Sequence, residues 1–127
     1  MRRILLIEDN DANQNLMSRY LELFDCEVTV ARDGLSGLHL AEQEAFRFDL
    51  VLLDMNLPEM DGWEVARRLK AHEATRHLPV IAVTAHAMVG DREKTLAAGC
   101  DDYATKPIDF PALLEKIDSY CCKVSAS

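Results

Sequence analysis

The sequence predicts a doubly wound α/β domain, with helices covering both faces of a parallel five-stranded sheet. Three observations carry this expectation. Five short apolar or β-branched runs, at residues 3–7, 27–31, 50–53, 79–83 and 102–105, alternate with longer stretches of helical spacing. The runs at 3–7, 50–53 and 79–83 are apolar on both sides, as strands buried between two helical layers must be. The runs at 27–31 and 102–105 alternate or are polar, which suits the edges of a sheet.

The first strand, Arg3 to Ile7, runs directly into Glu8-Asp9-Asn10-Asp11, where Asn10 or Asp11 is expected to cap the first helix. Met17, Tyr20, Leu21 and Phe24 then share a helical face. After the second strand, Glu27 to Ala31, Asp33-Gly34 marks a helix start, and Leu35, Leu38 and Ala41 share the next face. Leu50 to Leu53 is the third strand. Asp61-Gly62 opens the third helix, with Val65, Ala66 and Leu69 inward and Trp63, off that stripe, partly exposed. Pro79 to Val83 precedes a fourth helical segment that stops at Gly99. Asp102 to Thr105 is the last strand, and Phe110, Leu113, Leu114, Ile117 and Cys121 form the buried stripe of the last helix. With the second and fifth strands at the edges, the flavodoxin-like order 2-1-3-4-5 fits without strain. Residues 1–122 are read as one domain and 123–127 as a short polar tail.

Composition narrows the function. The 127 residues carry 14 Lys and Arg against 22 Asp and Glu, a net charge of −8, which repels a phosphate backbone and argues against nucleic-acid binding. The longest apolar runs fall far short of the ~20 residues needed to span a bilayer. The apolar start is too short for a secretory signal and meets acids at once, so a cytoplasmic protein is expected. Cys26, Cys100, Cys121 and Cys122 lack metal-ligand spacing and are read as free thiols. His39, His72, His77 and His86 are too scattered for a transition-metal site.

Ligands of open parallel sheets sit beyond the carboxyl ends of the strands, where the strand order reverses. Glu8 and Asp9 follow the first strand, Asp54 the third, Thr84 the fourth, and Lys106-Pro107 the fifth. Polar groups from four separate stretches thus converge on one edge. Three crowded carboxylates repel one another unless a hard divalent cation offsets them, and magnesium suits an all-oxygen site that leaves room for a phosphate oxygen. Asp9 and Asp54 are expected as direct ligands, Glu8 as a ligand through water, and Asn56 as a carbonyl donor. Asp54 is then the nucleophile toward phosphorus, Lys106 the positive charge for phosphoryl oxygens, and the Thr84 hydroxyl a hydrogen-bond donor to them.

Together, Glu8-Asp9, Asp54 within Leu53-Asp54-Met55-Asn56-Leu57-Pro58-Glu59-Met60-Asp61-Gly62, Thr84-Ala85 and Lys106-Pro107 resemble the receiver domain of two-component response regulators. The resemblance covers about residues 3 to 122, and no position of the motif set departs from it. It implies that Asp54 takes a phosphoryl group from a phosphohistidine on a sensor histidine kinase or a histidine phosphotransferase. It also implies that Thr84 and Tyr103 form a switch, the Tyr103 ring following Thr84 inward. The Lys106-Pro107 bond is often cis in that family. His86, two residues past Thr84, lies where such proteins vary the lifetime of the phosphorylated state. Output is expected through a protein-docking face built from the fourth helix, fifth strand and fifth helix, with homodimerisation on phosphorylation left open. The stretch Thr84-Ala85-His86-Ala87-Met88 with Gly90-Asp91 is similar both to hybrid-kinase receivers and to stand-alone regulators; Met1 and the short tail favour the latter.

A turnover enzyme is a poorer reading. Phosphatases of the haloacid-dehalogenase type usually carry a second Asp two residues after the nucleophile, where this chain has Asn56. A flavin-binding fold needs a phosphate cradle after the first strand, and Glu8-Asp9-Asn10-Asp11 would repel an anion. The chain is therefore expected to be a phosphoacceptor that assists its own phosphorylation and dephosphorylation.

Overall fold

In a computed structural model, which describes residues 2–55, 57, 60–84, 93, 97–106 and 108–125 and the side chains up to 120, strands and helices alternate along the chain. The elements are β1 (Arg2–Ile7), α1 (Asp11–Leu23), β2 (Cys26–Ala31), α2 (Gly34–Gln43), a single 3-10 turn (Ala45–Arg47), β3 (Leu50–Asp54), α3 (Gly62–Ala71), β4 (Val80–Thr84), β5 (Asp102–Thr105) and α4 (Phe110–Ser125). The sheet is parallel throughout, in the order β2-β1-β3-β4-β5, so the expected doubly wound, flavodoxin-like fold is what the chain forms. Of the sequence-predicted fourth helix before Gly99, Glu93, Ala97 and Ala98 are described, the first two helical and Ala98 in a turn.

Side-chain alternation along the central strands builds two cores, one on each face. Leu5, Ile7, Val51, Leu53, Val80 and Ala82 pack toward α2 and α3, against Leu38, Ala41, Val65, Ala66 and Leu69. Ile4, Leu6, Leu50, Leu52, Ile81 and Val83 pack toward α1 and α4, against Met17, Leu21, Leu113 and Ile117. Every residue of β3 and β4 is buried. At about 1.5–3 kcal/mol per fully buried large aliphatic side chain, these two layers are the main stabilising term of the fold.

The helix starts follow the local chemistry. Asn10, Asp33 and Asp61 each accept a hydrogen bond from the amide three residues on, at 3.0, 2.7 and 2.9 Å, satisfying donors that the first turn leaves free. Gly99 has φ +102°, a left-handed conformation suited to a helix stop, and a Cβ there would lie 2.8 Å from Lys70 Cγ.

Several expectations from sequence are corrected. Leu35 is 54% exposed, because α2 packs through Gly34, Gly37, Leu38 and Ala41 instead. A Cβ at Gly37 would fall 2.4 Å from Ile7 Cδ1, so the missing side chains bring this face against β1 and rotate Leu35 outward. Phe24 is 45% exposed because α1 ends at Leu23, and helical periodicity no longer places it. The segment read as a tail begins with helix: α4 runs through Ser125, as neither Gly nor Pro interrupts residues 121–125. The side chain of Cys121 lies outside the described set. Asp54 and Thr84 are the last residues of their strands and do not follow them, since each still pairs in the ladder, with Val83 and Thr105. Trp63 is partly buried against the α2/α3 core, as its offset from the stripe predicts.

Candidate functional site

The last residues of β3 and β4, Asp54 and Thr84, and the residues that follow β1 and β5, Glu8-Asp9 and Lys106, meet at the carboxyl edge of the sheet. The ladder continues one step beyond the strands: the Glu8 amide donates to the Ala31 carbonyl at 3.0 Å, Met55 to Val83 at 3.0 Å, and Lys106 to Thr84 at 2.8 Å. These bonds hold the functional backbone to rigid elements. Gly62 tightens the same edge, its amide donating to the Met55 carbonyl at 3.3 Å. A Cβ there would lie 2.5 Å from Met55 Cα, so α3 begins in direct backbone contact with the residue after Asp54.

Glu8, Asp9 and Asp54 each offer a carboxylate oxygen, and these atoms lie within 4.8 Å of one another. Glu8 and Asp54 are buried, at 1% and 3% exposure, and Asp9 is exposed. Two carboxylates at 4.8 Å repel by about 3 kcal/mol at an effective dielectric of ~20, so the cluster calls for positive charge. Lys106 supplies part of it, with Nζ 3.4 Å from Asp54 Oδ2 and 3.7 Å from Glu8 Oε1. One ammonium does not balance three carboxylates.

Glu8 registers the imbalance most clearly. Its Oε2 accepts from the Asn10 amide at 3.2 Å, and its backbone carbonyl accepts from Gln14 Nε2 at 2.6 Å. Its buried Oε1 makes no hydrogen bond among the described residues. Burial first, then the adjoining Asp54 carboxyl, push the Glu8 acid up to about 7, while the Asn10 amide and the Lys106 ammonium pull the other way. A buried acceptor that lacks a hydrogen bond among the described residues, beside two further carboxylates and with one ammonium 3.7 Å away, belongs to the donor set of a hard cation, and the residues present fit one.

Of the remaining residues singled out from sequence, Thr84 is 4% exposed and next to Asp54's strand. Tyr103 sits opposite Ala82 in β5, with its half-buried ring packed on the α2/α3 core. Thr84 and Tyr103 therefore lie on the same face of the sheet, two rungs apart along the ladder. Asn56, His86 and the Lys106-Pro107 bond lie outside the described residues, as does most of segment 88–98. Gln14, which holds the loop carrying Glu8, was not singled out from sequence; its only signal is that it lies within the first turns of α1. Cys26 and Cys100 are free and buried, and burial pushes the Cys100 thiol up to about 12, so neither has the character of a nucleophile. Among the described residues no helix is long and apolar enough to cross a membrane.

Comparison with known proteins adds an independent line. The sequence model of the response regulator receiver domain matches residues 4–118. The polar-differentiation response regulator DivK of Brucella anthropi is 43% identical over 119 residues, which cover 94% of this chain and 95% of that protein. Among solved structures, the receiver domain of sensor histidine kinase PA1611 from Pseudomonas aeruginosa is 38% identical, with a TM-score of 0.86 over 94% of this chain and 97% of that one. That structure has a magnesium ion coordinated in its active site cleft. The complex of the Saccharomyces cerevisiae histidine phosphotransfer protein Ypd1 with the receiver domain of the response regulator Ssk1 matches at 27% identity and a TM-score of 0.86, over 95% of this chain and 89% of that one.

Proposed function

Since the chain belongs to the response regulator receiver domain family of two-component signalling, we propose that it is a switch thrown by phosphorylation of Asp54. The observation that carries this is the Lys106 ammonium 3.4 Å from Asp54 Oδ2, inside a buried cluster of three carboxylates at the sheet's carboxyl edge. In the proposed step an Asp54 carboxylate oxygen attacks the phosphorus of a phosphohistidine. The P–N bond breaks, its electron pair returns to the imidazole nitrogen, and that nitrogen takes a proton from solvent. Lys106 receives the phosphoryl oxygens, and the Thr84 hydroxyl donates to one of them.

Asp9 and Asp54 would hold a magnesium ion directly, Glu8 through water, with the carbonyl of Asn56 completing the protein's share. When bound, the ion supplies the positive charge that lets a carboxylate approach a phosphoryl group. The Glu8 Oε1, which makes no hydrogen bond among the described residues, and the magnesium in the related PA1611 receiver support this assignment. The donor is a sensor histidine kinase or a histidine phosphotransferase, a reading supported by the Ypd1–Ssk1 match. Thr84 and Tyr103 would pass the change to a docking face formed by segment 88–98, β5 and α4. His86 would tune the rate of phosphoryl loss. In this role the protein is a cytoplasmic phosphoacceptor, and no separate substrate is turned over.

The test is transfer from a donor carrying labelled phosphohistidine. The label is expected to move to the chain in a linkage that hydroxylamine cleaves, as an acyl phosphate requires. No transfer, or a linkage stable to hydroxylamine, would overturn the proposal.

A further inference from the structure

β5 is an edge strand whose four residues are all half-buried. To its ladder with β4 and the packing of Tyr103 and Ala104 on the two cores it adds a polar anchorage through Asp102. The Asp102 carboxylate accepts from the Tyr103 amide at 2.8 Å, from Lys116 Nζ at 3.0 Å and from the Tyr120 hydroxyl at 3.5 Å. The Tyr120 hydroxyl also donates to the Asp101 carbonyl at 2.8 Å. Lys116 and Tyr120 both belong to α4.

The register makes this arrangement unusual. Tyr103 packs with Ala82 on the α2/α3 face, whereas α4 packs on the opposite face through Leu113, Leu114 and Ile117. Lys116 must therefore reach around the outer edge of β5 to meet the ring, and its Nζ lies 5.7 Å from the Tyr103 centroid. Lysine and ring border a cavity of about 330 Å³ together with Thr105, Asp109 and Ala112. A cation attracts an aromatic face only within about 6 Å of the centroid, so this contact is near its limit. Asp102 tethers the ammonium, which cannot follow the ring. A Tyr103 ring moving along the α2/α3 face toward Thr84 travels away from the sheet edge, and so out of reach of Lys116.

The geometry points to Lys116 as a positioning residue for Tyr103, a brake that holds the ring at the sheet edge. This rests on the reading of Thr84 and Tyr103 as the switch. Loss of the ammonium weakens the hold on the ring at that edge, and by reciprocity a ring that leaves the edge more often favours phosphorylation. The effect at such a half-buried contact is a roughly two- to five-fold change in the ratio of ring positions.

The test uses the full chain with fluorotyrosine at its three tyrosines, the Tyr103 signal being assigned with Tyr103→Phe. In the unaltered protein, acetyl phosphate with magnesium is expected to move the Tyr103 resonance. In Lys116→Met the resonance without phosphodonor already sits partway to that position. Lys116→Arg, which keeps a cation on the same anchor, stays with the unaltered protein. If the resonance moves on phosphorylation but is identical in Lys116→Met and the unaltered protein, the brake is refuted and the switch stands. If it fails to move in the unaltered protein, the switch reading falls and the brake with it.

Discussion

Replacing Glu8 with Gln tests the electrostatics of the site without touching the proposed phosphoacceptor. The buried Glu8 acid is held near 7, against an ordinary 4.5, chiefly by burial and by Asp54. Below about pH 4.5 the group is protonated in both the folded and unfolded chain and contributes nothing to pH dependence. As pH rises toward 7 the unfolded chain releases the proton more readily than the folded one, so stability falls, and it levels off above 7. At about 1.36 kcal/mol per pH unit, the gap corresponds to about 3 kcal/mol of destabilisation at pH 8. The assay is urea unfolding from pH 4.5 to 8 in buffer freed of divalent metal by a chelator. Glu8→Gln is expected to match the natural chain at pH 4.5 and to exceed its stability by up to about 3 kcal/mol at pH 8. Magnesium added at pH 8 should narrow the gap, because the site with all three carboxylates gains more from the ion than the variant, which keeps Asp9 and Asp54. A stability difference that is the same at pH 4.5 and pH 8 would refute the reasoning.

Two further predictions concern the neighbours of Asp54. Lys106→Met removes the ammonium from Asp54 and Glu8 and should slow phosphoryl uptake from acetyl phosphate by about 100-fold, as loss of a pre-placed positive donor does; a time course of intact mass reads the rate, and an unchanged rate contradicts the assignment. Gly62→Ala drives a Cβ into the backbone at Met55 and Asp54, and should cost roughly 1–3 kcal/mol by urea unfolding; an unshifted midpoint would show that this edge is looser than the structure indicates.

Much of this molecule is legible in its sequence because strands buried on two faces have to be continuously apolar. Leu50 to Leu53 and Val80 to Val83 meet that demand, so the sheet's centre and its order could be read directly. The site was legible for a related reason. Acids placed at the ends of buried strands have no structural excuse, and Glu8, Asp9 and Asp54 do converge. What escaped was written in absent or distant side chains. α2 turns Leu35 outward because Gly34 and Gly37 have nothing to keep β1 and α3 away, and a glycine leaves no mark on a hydrophobic pattern. The bonds from Gln14 to Glu8, and from Lys116 to Asp102, join polar residues far apart in space-filling logic but unmarked by any periodicity. The Lys116 contact with Tyr103 depends on a helix reaching round a sheet edge, which only the folded register reveals.

The central claim is that Asp54 accepts the phosphoryl group. Intact mass after incubation with magnesium and acetyl phosphate tests it most directly, on the natural chain and on Asp54→Asn. The natural chain should gain the mass of one phosphoryl group and the variant none. No gain on the natural chain, or an equal gain on Asp54→Asn, would contradict the account.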